Sequence, residues 1–270
     1  MQRYLAAVVQ LGSGPDRKTN LERVAALVGE AAGRGARLVV LPEVVAWRGP
    51  RDAEAAHVEP ESGPTADVMA ALARRHEIVL CAGSWLERGP DPSRAFNTTW
   101  VFDGDGVVLG RYRKIHLFDV ALPGRVEVRE STTRMAGAET VVVPTVLGPL
   151  GLSICYDLRF PELYRRLAFG GAELLPVPSA FTFPTGAAHW EVLVRARAIE
   201  NQCFVLAANQ TGRSPHGFAD YGHSMIVDPW GIVLAQIGDG DGVAVAEIDR
   251  DRLARIRREL PSLANARLRD

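Results

Sequence analysis

Residues 151–162 read GLSICYDLRFPE. The first half is an apolar run; the second turns charged and reaches a proline followed by glutamate. Proline is favoured at the first position of a helix, where its missing N–H costs nothing, so the stretch predicts a buried strand passing through a turn into a helix that opens at Pro161. That junction sets Cys155 at or near the C-terminal end of a strand, where open α/β sheets bind ligands. Two readings of the thiol stay open from these residues alone: a small hydrophobe packed in the core, or a nucleophile at a cleft.

Working outward, the same alternation of strand and helix recurs. Residues 3–10 read as a strand, and TNLERVAALVGEAAGRGA (19–36) as a helix, with Thr19 and Glu22 spaced as a capping box and glycines at its end. RLVVLPE (37–43) is a buried strand running into Glu43. A helix is expected around 65–75, with strands around 77–87, 97–103 and 107–116. Downstream, TVVVPT and LGLSICY read as strands, PELYRRLAFGGA as a helix, ELLPVPSAF as a strand, and AAHWEVLVRARAIENQ as a helix with Trp190, Leu193, Val194 and Ala198 on one face. FVLAANQ, SMIVDPWGIVLAQI and GVAVAEID supply further strands, with Asp228 to Gly231 as a hairpin turn. So many strands with few helices predict two sheets covered by helices rather than one doubly wound sheet.

The 270 residues carry no linker or low-complexity run, and 47% hydrophobic content supports a large core, so one domain over 1–270 is expected. A formal charge of -1 with no basic tract argues against a nucleic-acid or anionic-membrane footprint, which leaves a small molecule as the expected partner. Three cysteines in neither metal-like nor disulfide-dense spacing suit a reducing compartment, and no signal peptide or membrane-length apolar run is evident. The expected location is the cytoplasm. Of 31 basic residues 29 are arginine, so the two lysines, Lys18 and Lys114, stand out.

Three strand-end residues form a possible chemical set: Glu43, Lys114 and Cys155. Each alone has a bland reading, as a solvated turn carboxylate, an edge-strand charge or a core thiol. Together they offer a base, a cation and a nucleophile. A strand's period of two puts Tyr112, Lys114 and His116 on one face and Arg111 and Arg113 on the other. His116 therefore supports a rival reading, a cysteine-histidine pair, although the papain-type signature is absent. Arg159 is a candidate for an acidic neighbour or a substrate carboxylate. Cys81 and Cys203, in apolar contexts, read as structural thiols.

In order along the chain, LPE, RKIHLFD, GLSICYDLRFPEL, PSAF, AHWEVLVRARAIENQ and YGHSMIVDPWG resemble the nitrilase superfamily of carbon-nitrogen hydrolases, over nearly the whole length. Within it the chain looks most like the branch of deaminated-glutathione amidases and omega-amidases. The resemblance implies a four-layer αββα sandwich, an α/β fold, commonly paired through a helical face into a homodimer. It implies the catalytic set Glu43, Lys114 and Cys155, with Glu130 in VREST as a second glutamate that helps hold Lys114. Cys155 is the implied nucleophile and Glu43 the implied base. Lys114 and the backbone N–H of Tyr156 are the implied oxyanion donors. The implied reaction turns a small linear carboxylate-bearing amide into acid and ammonia through a thioester, with no metal and no organic cofactor. The expected substrate is deaminated glutathione, ahead of alpha-ketoglutaramate, with a non-catalytic binder of the same fold as a third reading. Val44 and Ala136 depart from the family pattern at the glutamate and in a later loop.

Overall fold

The computed structural model describes residues 2–124, 126–214 and 217–268. One sheet runs, in spatial order, Gly242–Asp249, Arg3–Gln10, Ala36–Val40, Val79–Cys81, Ala95–Phe102 and Trp85–Arg88, with Val108–Arg113 and Arg134–Met135 also paired to Ala95–Phe102. The other runs Val142–Val143, Leu150–Gly151, Leu174–Ser179, Phe204–Asn209, Met225–Val227 and Val233–Gln236. In both, the central pairs are parallel and the flanking ones antiparallel, except that Arg134–Met135 joins Ala95–Phe102 in parallel.

Alternation along the central strands builds the layers. Ala6, Val8, Leu38 and Val40 point into the core shared with the second sheet, whereas Ala7, Val9, Val39 and Leu41 point outward. The outward set is covered by Val24, Val28 and Ala31 of α1 (Arg17–Gly33) and by Met69 and Leu72 of α2 (Pro64–His76). The far face of the second sheet is covered by Leu163 and Leu167 of α3 (Pro161–Phe169) and by Trp190, Val194 and Ala198 of α4 (Phe183–Asn201). The result is the αββα sandwich. Each fully buried valine or leucine contributes about 1.5–3 kcal/mol of transfer free energy. Among the described residues no helix is long and apolar enough to cross a membrane.

Several boundaries differ from the sequence reading. The N-cap of α1 is Asp16, whose side chain accepts the Thr19 N–H, so Thr19 lies inside the first turn instead of capping it. An aspartate three residues upstream supplies the same oxygen. The expected strand over 77–87 is two strands broken at Gly83, whose φ of 68° and close approach to the Pro42 carbonyl, 2.2 Å from an ideal Cβ, admit no side chain. The strand expected through LGLSICY keeps ladder pairing only over Leu150–Gly151, and a short 3₁₀ turn, Cys155–Arg159, leads into Pro161 at the start of α3.

Candidate active site

Four chain segments converge where the two sheets open. Glu43 leaves the end of Ala36–Val40; its N–H donates to the Ser179 carbonyl at 3.3 Å and its carbonyl accepts Gln210 Nε2 at 2.8 Å. The residue is 5% exposed. Lys114 is the residue just past Val108–Arg113, locked by its N–H to the Asn97 carbonyl at 2.9 Å. Glu130 opens a 3₁₀ turn, Glu130–Thr132, and its Oε2 accepts the Phe118 N–H at 2.6 Å. Cys155 begins the 3₁₀ turn after the second sheet's short strand with a φ of 47°. Few non-glycine residues hold that conformation, and here it turns the thiol out of the strand direction.

The side chains meet around the ammonium. Lys114 Nζ lies 2.9 Å from Glu43 Oε1 and 2.9 Å from Glu130 Oε2. Cys155, Glu43 and Ala180 line the same cavity, and the Glu43 carboxylate and the Ala180 N–H both bear on the charge of the thiol. Burial works against the Lys114 charge, but Glu130 and Glu43 outweigh it and hold its pKa well above the ordinary lysine value. Burial also opposes the charge on Glu130, yet Lys114 and the Phe118 N–H hold its carboxyl below the usual range. The Cys155 thiol is pushed well above its ordinary value, by burial first and by Glu43 second, with Lys114 only partly offsetting them. The thiol is therefore neutral at rest and needs a base to lose its proton.

The strand period holds for the lysine segment. Tyr112 and Lys114 are buried on the inner side, whereas Arg113 and Arg111 reach Glu87 at 2.6 and 3.5 Å on the other. His116 does not serve the thiol: its Nδ1 is 2.7 Å from Asp157 Oδ1 and its ring stacks on Phe160 at 3.7 Å. Cys81 and Cys203 are fully buried free thiols, pushed up by burial to about 12 and about 11.

A cavity of about 140 Å³ opens over these groups, and Phe118, Tyr156 and Phe181 are among the residues that line it. Arg159 lines it too, half-buried, with its guanidinium 5.0 Å from the Phe181 ring centre and Nη1 3.2 Å from His189 Nδ1. Among the described ion pairs it has no carboxylate partner, and burial pulls its pKa down. Of the other cavity arginines, Arg48 pairs with Asp220 and Arg134 with Glu54, whereas Arg51 and Arg129 are exposed and lack a carboxylate partner among the described ion pairs. Among the described residues no cluster of three His, Cys, Asp or Glu side chains is placed to hold a metal ion.

Two buried residues at the site escaped the sequence reading. Asp157 accepts hydrogen bonds from Tyr112 Oη at 2.7 Å, Ile154 N at 2.9 Å and His116 N at 3.1 Å, tying the cysteine turn to both flanks of Lys114. The shared face of Tyr112 and His116 was the available hint that some acceptor lay opposite. Asn97 donates Nδ2 to Glu43 Oε1 at 2.8 Å, and nothing in FNTTW singles it out.

A neutral thiol against a carboxylate, beside a buried ammonium at the open end of an αββα sandwich, is equipped to attack a carbonyl carbon through sulfur. The chain belongs to the carbon-nitrogen hydrolase family, whose model matches residues 5–258. It is 45% identical over 268 residues to the deaminated glutathione amidase of Homo sapiens, covering 97% of this chain and 82% of that one. It is 37% identical over 268 residues to the chloroplastic omega-amidase of Arabidopsis thaliana, covering 97% of this chain and 72% of that one. Among solved structures it is similar to Saccharomyces cerevisiae Nit3, a member of branch 10 of the nitrilase superfamily, with a TM-score of 0.89, 33% identity, and coverage of 99% and 97%. The protein is an enzyme, a carbon-nitrogen hydrolase of the amidase kind.

Proposed function

We propose that this protein is a cysteine amidase acting on a small linear amide that carries a carboxylate, with deaminated glutathione as the preferred substrate. One observation carries the catalytic reading: Cys155 lines one cavity with Glu43 and Lys114, and the Glu43 carboxylate lies 2.9 Å from Lys114 Nζ. Cys155 Sγ attacks the amide carbon while Glu43 takes the thiol proton. Lys114 and the Tyr156 N–H, in the first turn of its 3₁₀ segment, donate to the oxyanion. Glu43 then delivers the proton to the departing nitrogen, leaving a thioester. Water attacks the thioester as Glu43 takes its proton, the acid leaves, and the proton returns to sulfur. Glu130 holds Lys114 in place throughout.

The leaving group follows from the substrate. A primary amide such as alpha-ketoglutaramate releases ammonia, whereas the nitrogen of deaminated glutathione belongs to a cysteinyl residue and departs as a dipeptide amine. The expectation of ammonia therefore holds for the second substrate and not for the first. Arg159, the half-buried cation without a carboxylate partner, suits the substrate carboxylate, since a guanidinium pairs with it through two parallel N–H donors. The human relative supports deaminated glutathione, and the omega-amidase relative supports alpha-ketoglutaramate as the second reading.

The whole chain acts as one carbon-nitrogen hydrolase domain in the cytoplasm, and it pairs into a homodimer. Exposed Val192 and Ile199 on α4, beside exposed Trp230 and Ile232 on the turn that α4 contacts through Arg195 and Gly231, support that face as the interface. The test of function is release of 2-oxoglutarate from both keto-acid amides, followed by mass spectrometry, in wild type and Cys155→Ala. Wild type should consume deaminated glutathione most efficiently and neutral aliphatic amides poorly; Cys155→Ala should consume none. Equal turnover of neutral amides would overturn the substrate class. Activity in Cys155→Ala would overturn the nucleophile, and unchanged substrate with wild type would favour a binder.

A further inference from the structure

Asn97 sits in the strand Ala95–Phe102, where its carbonyl pairs with the Lys114 N–H and so fixes the two residues side by side. The residue lines the cavity and is 2% exposed. Nδ2 donates to Glu43 Oε1 at 2.8 Å and reaches Glu130 Oε1 at 3.4 Å, while Oδ1 is buried without a partner. The orientation is dictated by chemistry. Turning the amide over would set Oδ1 against two carboxylates that can only accept. A buried unpaired carbonyl costs about 1–3 kcal/mol, so an amide held this way calls for a reason.

The reason lies in which oxygen of Glu43 remains available. Lys114 Nζ and Asn97 Nδ2 both donate to Oε1. A carboxylate offers about two lone-pair sites on each oxygen, so two donors occupy Oε1. Cys155 lines the same cavity as this carboxylate. We propose that Asn97 is a positioning residue that pins Oε1 of Glu43 and leaves Oε2 as the oxygen that takes the Cys155 proton. Lys114 cannot do this alone, because its single ammonium, on a flexible stem, is shared with Glu130. Without Asn97 the carboxylate turns about its terminal bond, and the thiol loses a base held in line. This inference rests on Glu43 being the base.

The test uses Asn97→Leu, Glu43→Gln and the double variant, each checked for a wild-type melting transition. In Asn97→Leu, kcat should fall at least about tenfold with KM within about threefold, as expected for a group that acts on chemistry and not on substrate binding. Alkylation of Cys155 by iodoacetamide should slow by a similar factor. In the Glu43→Gln background the same change should add less than about twofold, because the group it positions is gone. Asn97→Asp, nearly isosteric but unable to donate to both carboxylates, should repeat the loss and serves if the leucine variant fails to fold. Near wild-type kcat in Asn97→Leu, with Glu43→Gln inactive, would overturn the positioning role and leave the base assignment standing. An equal further loss in the Glu43→Gln background would also overturn it. Near wild-type activity in Glu43→Gln would remove the base assignment itself.

Discussion

Replacing Lys114 by arginine keeps the charge and changes only its shape. The ammonium has three N–H donors, and two are used at 2.9 Å on Glu43 and Glu130. The third is the one available to the oxyanion. A guanidinium is planar, one bond longer and wider, so it cannot direct three donors along the corners of a tetrahedron. Lys114 is 2% exposed and enclosed by both glutamates, which leaves the larger head to displace Glu43 or to enter the space of the amide. Loss of one oxyanion donor costs about 10²–10³ in kcat, or about 2.7–4 kcal/mol. Lys114→Arg should therefore lose at least about 100-fold in kcat. The buried carboxylates keep a cation, so the variant avoids the about 3–5 kcal/mol destabilisation that comes with an uncompensated buried charge. Steady-state release of 2-oxoglutarate, with thermal melts and Lys18→Arg as the silent control, measures both. A Lys114→Arg enzyme of near wild-type kcat would refute the donor count and leave the oxyanion role unassigned.

Glu43→Gln should lose several orders of magnitude in kcat while His116→Ala keeps most of it; the reverse ranking in the same assay would favour the cysteine-histidine pair. Because burial and Glu43 raise the Cys155 pKa, the thiolate absorbance at 240 nm, wild type minus Cys155→Ala, should develop only above the ordinary thiol value of about 8.5; a full signal at pH 7 would contradict a neutral resting thiol. Arg159→Gln should raise KM for carboxylate-bearing amides at least about tenfold and leave neutral amides unchanged, and a uniform loss across both would deny it the carboxylate. Ile199→Asp, which puts a charge on the exposed face of α4, should shift the protein to monomer in sedimentation velocity, whereas an unchanged species would place the pairing elsewhere.

Much of the sandwich was legible because its determinants are local. Short, nearly continuous apolar runs specify strands such as Arg3–Gln10 and Phe204–Asn209, buried on both faces, and proline at the first helical position marks the start of α3. The same local patterning put Tyr112 and Lys114 together on one strand face, and the strand-to-helix junction brought Cys155 to notice. It overran at LGLSICY, where hydrophobicity continues past the last ladder pair and only the backbone turn at φ 47° ends the strand.

The sequence by itself determined the layers, the arginine bias that leaves Lys114 conspicuous, and the type of chemistry its strand-end residues can perform. Glu130 entered only through family resemblance, and Asn97 and Asp157 not at all. Their roles depend on contacts between segments far apart in the chain: Glu43 meets Lys114 across 71 positions and Asn97 across 54, while Asp157 reaches Tyr112 across 45. Composition treats Glu, Lys, Asp and Asn as surface residues, because an isolated charge or amide is costly to bury. Only the tertiary structure decides that these are inside, since what makes their burial tolerable is each other, and periodicity along one strand carries no information about which partner another segment will bring.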